Sequence, residues 1–419
     1  MGTDETVNRN RLSSQSLSER ERQASVDDLL LGADSEQDPT LSVVMPTLNE
    51  EEGVEECITR IRNAVAEVGI TTEIIVSDSS TDRTPEIARD LGAIVVEPDQ
   101  TGYGYAYRYA FDRVRGDYVV MGDADTTYDF EELPKLLDLI IEGDADIVMG
   151  SRLEGEIKDG AMPALHQYVG NPLLTKFLNV FYDAEVSDAH SGFRVFRADV
   201  IEELQLQTNG MEFASEMVME AAVREFEIEE VPITYHEREG DATLHSFRDG
   251  WRHVKFMLLN APSYLFTVPG ALLLGAGVVL MGFAFVGTTL PSIRILPVWQ
   301  HGVAFGVRSA IAGSLLAIVG YQVASMGVFA TVASDPIRRP DDVVTNAIIN
   351  HLSLERGGTV GFLLFLLGAG YAGYLIYQWV TIGYGALPGI PSDVIAFTLI
   401  VLGIQTIFGS FFMSSVGSR

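Results

Sequence analysis

Cysteine is all but absent from this chain. A single residue, Cys57, occurs among 419, which excludes an internal disulfide, a cysteine-based zinc site and a thiol redox pair. Lysine is nearly as scarce, with four residues at positions 135, 158, 176 and 255, so most basic charge is arginine. Basic charge as a whole is short. There are 28 Lys+Arg against 58 Asp+Glu, a formal net charge of −30, which excludes a nucleic-acid binder relying on a general basic surface. High acidity with little lysine points to a halophilic protein, because a Debye length of about 3 Å at 1 M salt screens self-repulsion. An acidic protein of an ordinary cytoplasm is the alternative. The first forty residues contain no apolar signal-peptide core, so no export of the N-terminal part is expected.

Charge is also missing from most of the last third. Hydrophobic residues make up 47% of the chain, and nearly all acids precede Trp251. That segregation excludes an ordinary single soluble domain. Four long apolar runs, Tyr264–Gly287, Ser309–Ala333, Val360–Gly383 and Val394–Ser415, each reach the length of about 20 residues that spans a bilayer core. Basic residues flank them unevenly. Arg248, Arg252, His253 and Lys255 precede the first run, and Arg338, Arg339 and Arg356 lie between the second and third. The loop between the first and second has only Arg294, and that between the third and fourth has none. The positive-inside rule then predicts a multi-pass protein of the cell membrane with both termini and the N-terminal domain cytoplasmic. Phe247–Leu259 alternates basic groups with Trp251, Phe256, Met257 and Leu258, as expected of a helix in the membrane interface; a plain linker helix is the bland reading.

What is present before Trp251 is a βα alternation. Leu41–Met45, Glu73–Val76, Ala93–Val96, Tyr118–Met121 and Ile147–Met149 read as strands, and Glu50–Val68, Thr84–Leu91, Tyr103–Val114 and Phe130–Glu142 as helices. Such alternation implies an α/β domain with a mainly parallel sheet covered on both faces. The expected organisation is a disordered acidic tail at 1–40, a catalytic domain at 41–245, an interfacial amphipathic helix at 246–263 and an α-helical transmembrane domain of four spans at 264–419.

Chemistry gathers where strands end. In Gly122-Asp123-Ala124-Asp125 two carboxylates follow the strand Tyr118–Met121 directly. They could hold a hard, oxygen-liganded cation, Mg²⁺ or Mn²⁺, with positions left for diphosphate oxygens. The chain supplies its own control: Gly143-Asp144-Ala145-Asp146 has the same letters but precedes a strand. Ligands of open α/β sheets bind beyond the carboxyl ends of the strands, so the first pair is the candidate and the second is not. The same edge collects Pro46-Thr47-Leu48-Asn49-Glu50 after the first strand and Ser77-Asp78 after the second. Asp78 is placed to bond a base or ribose, while Asp82 reads as a helix cap. Gly102 and Gly104 follow the third strand, and their missing side chains would let backbone approach a ligand. No G-x-G-x-x-G follows the first strand, which argues against a nicotinamide-type site.

These motifs, Val43–Glu50, Val76–Thr84 and Gly122–Asp125, together resemble the inverting family-2 glycosyltransferases of the GT-A fold. Gly150-Ser151-Arg152 and Ser187-Asp188-Ala189-His190-Ser191-Gly192-Phe193-Arg194 resemble the polyprenyl-phosphate hexose branch, which includes dolichyl-phosphate mannose and glucose synthases. The resemblance covers roughly Leu41 to Leu259. It implies that Pro46, Asn49, Glu50 and Asp78 hold the nucleotide, that Asp123 and Asp125 bind metal and diphosphate, and that Arg152 and Arg194 lie near the acceptor phosphate. It further implies inverting transfer of one hexose from GDP-mannose or UDP-glucose to polyprenyl (dolichyl) phosphate, for protein glycosylation. The chain departs from the family where Ser77 replaces a second acid, Thr127 a common glutamine and Thr243 a common lysine. Arg248 or His245 would then take the phosphate contact, and His190 either donates to that phosphate or is a satisfied core histidine. Glu212 or Glu216 could touch the sugar. The alternatives are a transferase acting on a lipid-linked or polysaccharide hydroxyl, which wants a carboxylate base, a transporter, which wants intramembrane ionisable groups, and a non-catalytic scaffold of a glycosylation pathway.

Overall fold

The computed structural model describes residues 26–239, 246–289, 305–333, 354–383 and 390–417. The chain divides into two units, 1–257 and 258–419.

The first unit is built on a seven-stranded sheet of order β3-β2-β1-β4-β6-β5-β7. The strands are β1 Leu41–Thr47, β2 Thr72–Asp78, β3 Ile94–Val96, β4 Tyr118–Met121, β5 Ile147–Ile157, β6 Arg194–Arg197 and β7 Ile228–Tyr235. Only β6 runs antiparallel, against both β4 and β5. The carboxyl ends of β1, β2, β4, β5 and β7 therefore share one edge. β1 runs two residues past its expected end. The Val44 carbonyl accepts from Gly122 N at 3.3 Å, so the alternation of the strand turns Pro46 to the same side. Pairing with β4 has already stopped there, and the missing proline N–H leaves no ladder bond unmade.

Helices cover both faces, as a parallel sheet requires. After a short helix α1, Val26–Leu29, come α2 Val54–Val68, α3 Thr84–Asp90, α4 Tyr103–Phe111, α5 Leu133–Glu142, α6 Asn171–Tyr182, α7 Ala198–Leu204, α8 Phe213–Val223 and α9 Ser246–Asn260. The apolar stripe of α2, Val54, Ile58, Ile61 and Val65, packs with Val43, Met45, Val120 and Leu136 in one buried cluster. On α4 and α8, Tyr107 stacks on Phe213 with ring centroids 5.5 Å apart, and Phe111 meets Phe196 edge-on. Cys57 is fully buried in the α2 cluster. Burial pushes its thiol up to about 12, so it serves as a small packing residue without reactive character.

The N-terminal segment differs from expectation. Residues 26–40 were expected within a mobile tail, yet Leu29 is buried in the core cluster and Leu31 N–H donates to the Thr72 carbonyl at 2.8 Å. The Leu29-Leu30-Leu31 run is the cause: Leu29 is buried in the core cluster and Leu30 packs against it.

In the second unit, α10 Val268–Thr289, α11 Val307–Ala333, α12 Leu354–Thr381 and α13 Ile390–Gly417 are long and apolar enough to cross a membrane. Small residues let their backbones meet: a Cβ on Gly277 would fall 2.4 Å from Ala317 N, and one on Gly361 2.8 Å from the Gly403 carbonyl, the usual device of membrane helix pairs. Ser314 hydrogen-bonds Thr398 at 2.7 Å and Tyr321 donates to Thr406 at 2.8 Å, tying α11 to α13.

One buried charge sets the register of β1, β2 and the turn before β4. The Glu73 carboxylate accepts from Ser42 Oγ at 2.6 Å and from Arg115 N and Nε, each at 2.8 Å. Its side chain is 1% exposed and that of Arg115 is 26% exposed. Arg115→Ala strands the carboxylate in the core. We expect a loss of about 2 kcal/mol, below the roughly 3–5 of a fully buried pair because Arg115 is partly in solvent. Thermal denaturation of the purified protein reads this as a lower midpoint.

Candidate active site

The exits of β1 and β2 are laced together first. Thr47 Oγ1 donates to Asp78 Oδ1 at 2.7 Å, from directly paired positions. Asn49 has φ 59°; its amide accepts from Thr81 N–H at 2.8 Å, while its own N–H meets Ser80 Oγ at 2.7 Å. Asp82 accepts from Thr84 N–H and hydroxyl at 3.0 and 2.6 Å and from Glu51 N–H at 3.3 Å. It therefore serves the start of α3, as expected, and also pins the β1 loop. Pro46, Thr47, Asn49, Glu50 and Asp78 thus line one ledge.

The acids after β4 stand beside it. Tyr103 OH donates to Asp123 Oδ1 at 2.9 Å. Thr127 gives its N–H and hydroxyl to Asp125 Oδ1, at 3.2 and 2.5 Å. One oxygen of each carboxylate is thereby held by a neutral donor. Arg238, just past β7, pairs through Nη1 with Asp125 Oδ2 at 3.2 Å and through Nη2 with Glu50 Oε1. Burial, with the charge of Asp125 behind it, raises the Asp123 carboxyl above the usual range. Burial also pushes Glu50 up to about 7, against the pull of Arg238 and helped by Asp125 and Asp123. Three carboxylates with one guanidinium are short of positive charge, and the donor set is hard oxygen. It fits a divalent cation such as Mg²⁺ or Mn²⁺. Thr127, where the family often has glutamine, is engaged with Asp125. Among the described residues no group of three His, Cys, Asp or Glu side chains forms a ready cage. The control pair behaves differently: Asp146 lies ahead of β5, bonded to Arg197 at 2.8 Å and to Glu227 N–H at 3.0 Å.

A second cluster surrounds the loop from Ser187 to Phe193. Arg152 on β5 is paired with Asp188, Nε to Oδ2 at 2.7 Å and Nη2 to Oδ1 at 2.9 Å. Burial alone would raise the Asp188 carboxyl, but Arg152 outweighs it and holds it below the usual range. Arg194, expected near the acceptor phosphate, is fully buried. Its Nε and Nη2 donate to the Ser191 and Ala189 carbonyls at 2.9 and 3.0 Å, so it shapes the loop from beneath. His190 Nε2 shares the Ser215 hydroxyl, at 3.1 Å, with His253 Nδ1 of α9, at 3.2 Å. Burial first, then the neighbouring His253, lowers His190 to about 3, so it is neutral at physiological pH.

Other expectations change with the structure. Gly102 and Gly104 were expected to admit a ligand, yet a Cβ on either would strike the Asn209 or Thr208 carbonyl, at 2.2 and 2.5 Å. The backbone they admit is the chain's own, and the Asn209 carbonyl accepts from Gly104 N–H at 3.1 Å. Glu216, a candidate for touching the sugar, is buried and accepts from Gln207 N–H and from the N–H and hydroxyl of Thr208. Glu212 pairs with Arg252 at 3.1 Å. Arg248 lies in α9, but its side chain is outside the described residues, as are His245 and Thr243.

Residues 42–205 match the Glycosyl transferase family 2 family, and residues 329–417 match its C-terminal transmembrane region. The chain is 56% identical to the low-salt glycan biosynthesis hexosyltransferase Agl6 of Haloferax volcanii, over 93% of this chain and 92% of that one. The chain belongs to glycosyltransferase family 2. It is also 38% identical to the dolichyl-phosphate hexose transferase of the same organism, over 50% of this chain and 89% of that one. The resemblance to the polyprenyl-phosphate hexose branch, the GT-A fold class and the multi-pass membrane character hold accordingly, and the protein is a hexosyltransferase. Among solved structures it is similar to glucosyl-3-phosphoglycerate synthase from Mycobacterium tuberculosis, at 24% identity and a TM-score of 0.42 over 53% of this chain and 79% of that one, a likeness too slight for functional transfer.

Sequence reasoning missed Tyr103, Asp188, Gly192, Ser215 and Arg238. The sheet-edge rule, applied to the exit of β7, would have found Arg238. Gly192 sits where three polar atoms converge: a Cβ there would lie 3.1 Å from Tyr103 OH, 3.2 Å from Asp123 Oδ2 and 3.3 Å from Tyr128 OH. Gly192→Ala must push Asp123 aside by tenths of an ångström. We expect turnover to fall about tenfold, short of the roughly hundredfold of a 1 Å misplacement, with an unchanged melting temperature; steady-state kinetics beside a thermal melt checks both.

Proposed function

We propose that this hexosyltransferase moves one hexose from a nucleotide sugar, GDP-mannose or UDP-glucose, to polyprenyl or dolichyl phosphate at the cytoplasmic face of the cell membrane. The product would supply lipid-linked sugar for protein glycosylation. The observation that carries this reading is the meeting of two unlike groups at one loop. Gly192 abuts Asp123, and four residues earlier in the chain Asp188 anchors Arg152. An acid site for a nucleoside diphosphate and a guanidinium for an acceptor phosphate thus share one short segment. The kinship to a protein named dolichyl-phosphate hexose transferase supports the acceptor class, and the Haloferax relatives support the halophilic reading.

In this account Thr47, Asn49, Glu50 and Asp78 form the nucleotide ledge. Asp123 and Asp125 hold the divalent cation, which when bound balances charge on the departing nucleoside diphosphate. Asp188 occupies Nε and Nη2 of Arg152, so Nη1 is the donor left to orient the acceptor phosphate. Arg194 and Gly192 position the loop and do not touch substrate. A phosphate monoester is already anionic at neutral pH and needs no strong base; the chain's task is alignment and charge balance. Direct attack on the anomeric carbon inverts it, giving a β-linked product from an α-linked donor. A hydroxyl acceptor would need a carboxylate base; Glu212 and Glu216, the acids expected to touch the sugar, are bound to Arg252 and to the 207–208 backbone.

The test supplies each radiolabelled nucleotide sugar, with polyprenyl phosphate and Mg²⁺ or Mn²⁺, to the purified protein. Label in an acid-labile lipid is expected, and Asp125→Asn should reduce it at least about hundredfold, as loss of a principal charge-stabilising group does. Label only in an acid-stable product overturns the phosphate acceptor. Acidity gives a further check. A raised carboxyl pKa means that Glu50 and Asp123 retain protons below about 7, and a cation must displace them. Mn²⁺ affinity should therefore be weaker at pH 6 than at pH 8, measured by calorimetry; equal affinity would remove these acids from the cation site.

A further inference from the structure

Arg238 stands where the cation would act. Asp125 Oδ1 already accepts two bonds from Thr127, which leaves Oδ2, and Oδ2 faces Arg238 Nη1 at 3.2 Å. The other arm of the guanidinium rests on Glu50. Its backbone is fixed to the same loop: Glu239 N–H reaches the Asp125 carbonyl and Thr126 Oγ1, both at 3.3 Å, and His236 N–H reaches the Thr127 carbonyl at 2.9 Å. The backbone at Arg238 is thus anchored beside Asp125 and Glu50, and only its guanidinium is left to shift between partners.

We infer that Arg238 and a divalent cation compete for Asp125, so that the cation binds strongly only together with a nucleoside diphosphate. The inference rests on the cation site proposed above. A cation at Asp125 Oδ2 places like charges side by side, in a partly buried setting where screening is weak. A diphosphate resolves the conflict. Its oxygens offer the guanidinium the planar, two-pronged partner it prefers, which draws Arg238 from Asp125 as the cation arrives. Two ligands that each favour the same displaced position of Arg238 must strengthen one another by the same factor. The device would keep the site from loading a bare cation, and would release cation and spent nucleotide together.

The test titrates Mn²⁺ into the full-length protein in detergent, following free Mn²⁺ by electron paramagnetic resonance, alone and with UDP or GDP. In the wild type, one nucleotide should tighten Mn²⁺ about tenfold or more, within the usual span of coupling. Arg238→Gln should bind Mn²⁺ alone about tenfold more tightly and lose most of the nucleotide effect, whereas Arg238→Lys, which keeps the charge, should stay near the wild type. Additive binding of Mn²⁺ and both nucleotides in the wild type overturns the inference without any variant. So does Arg238→Gln binding Mn²⁺ no more tightly than the wild type. Asp125→Asn separates the two layers. If Mn²⁺ binding persists in it unchanged, the cation site falls and the competition with it; if binding is lost there while Arg238→Gln is unaltered, only the competition falls.

Discussion

The structure turns on an imbalance of charge at one edge of a sheet. Glu50 and Asp125 share the guanidinium of Arg238 while Asp123 beside them has the neutral Tyr103 hydroxyl, and burial makes each unmatched charge expensive. Every other feature of the catalytic unit either creates that imbalance or keeps it in place. The parallel strands deliver the acids to a common edge. Tyr103 and Thr127 hold one oxygen of each aspartate, and the core that includes Val43, Val120 and Leu136 packs the sheet that carries them. A site with such an electrostatic deficit attracts cations, and a cation bound there attracts polyphosphate.

The antiparallel strand β6 gives the same edge its second half. By reversing direction it brings the loop from Ser187 to Phe193 over the carboxyl end of β4. Arg194 then fastens that loop from below, through two carbonyls, and Asp188 fastens Arg152 beside it. The two arginines do different work for a physical reason. Arg194 has no exposed surface and gives its bonds to backbone carbonyls, whereas Arg152 is 7% exposed and pairs with a carboxylate. Ser215 links this loop to α9 through His190 and His253, so the first turns of the segment leading to the apolar helices are part of the catalytic unit.

Much of this was legible in the residues. Apolar runs ended by Pro46, Ser77 and Gly122 marked three strands and the edge where they stop, and the contrast between Asp123/Asp125 and Asp144/Asp146 followed from strand order alone. Four uncharged runs announced, to within a few residues, four helices long and apolar enough to cross a membrane. What escaped has definite causes. β6 is four residues long and starts on a buried arginine, so no alternation reveals it. Gly102 and Gly104 signal close approach, but a sequence does not say of what, and the answer was the chain itself at Thr208 and Asn209. Arg194 in a motif reads equally as a phosphate clamp or as a brace. Arg238 follows a strand whose acids, Glu229 and Glu230, obscure its β character.

The central claim is that the two aspartates after β4 grip one divalent cation that also touches a nucleoside diphosphate. The direct measurement is anomalous scattering from crystals of the full-length protein soaked with Mn²⁺ and UDP or GDP. The account predicts a single strong peak within about 2.3 Å of Asp123 Oδ2 and Asp125 Oδ2, the range of hard cation–oxygen contacts, with phosphate density against it. A peak elsewhere, or nucleotide bound on the ledge with no metal between it and these acids, would contradict it.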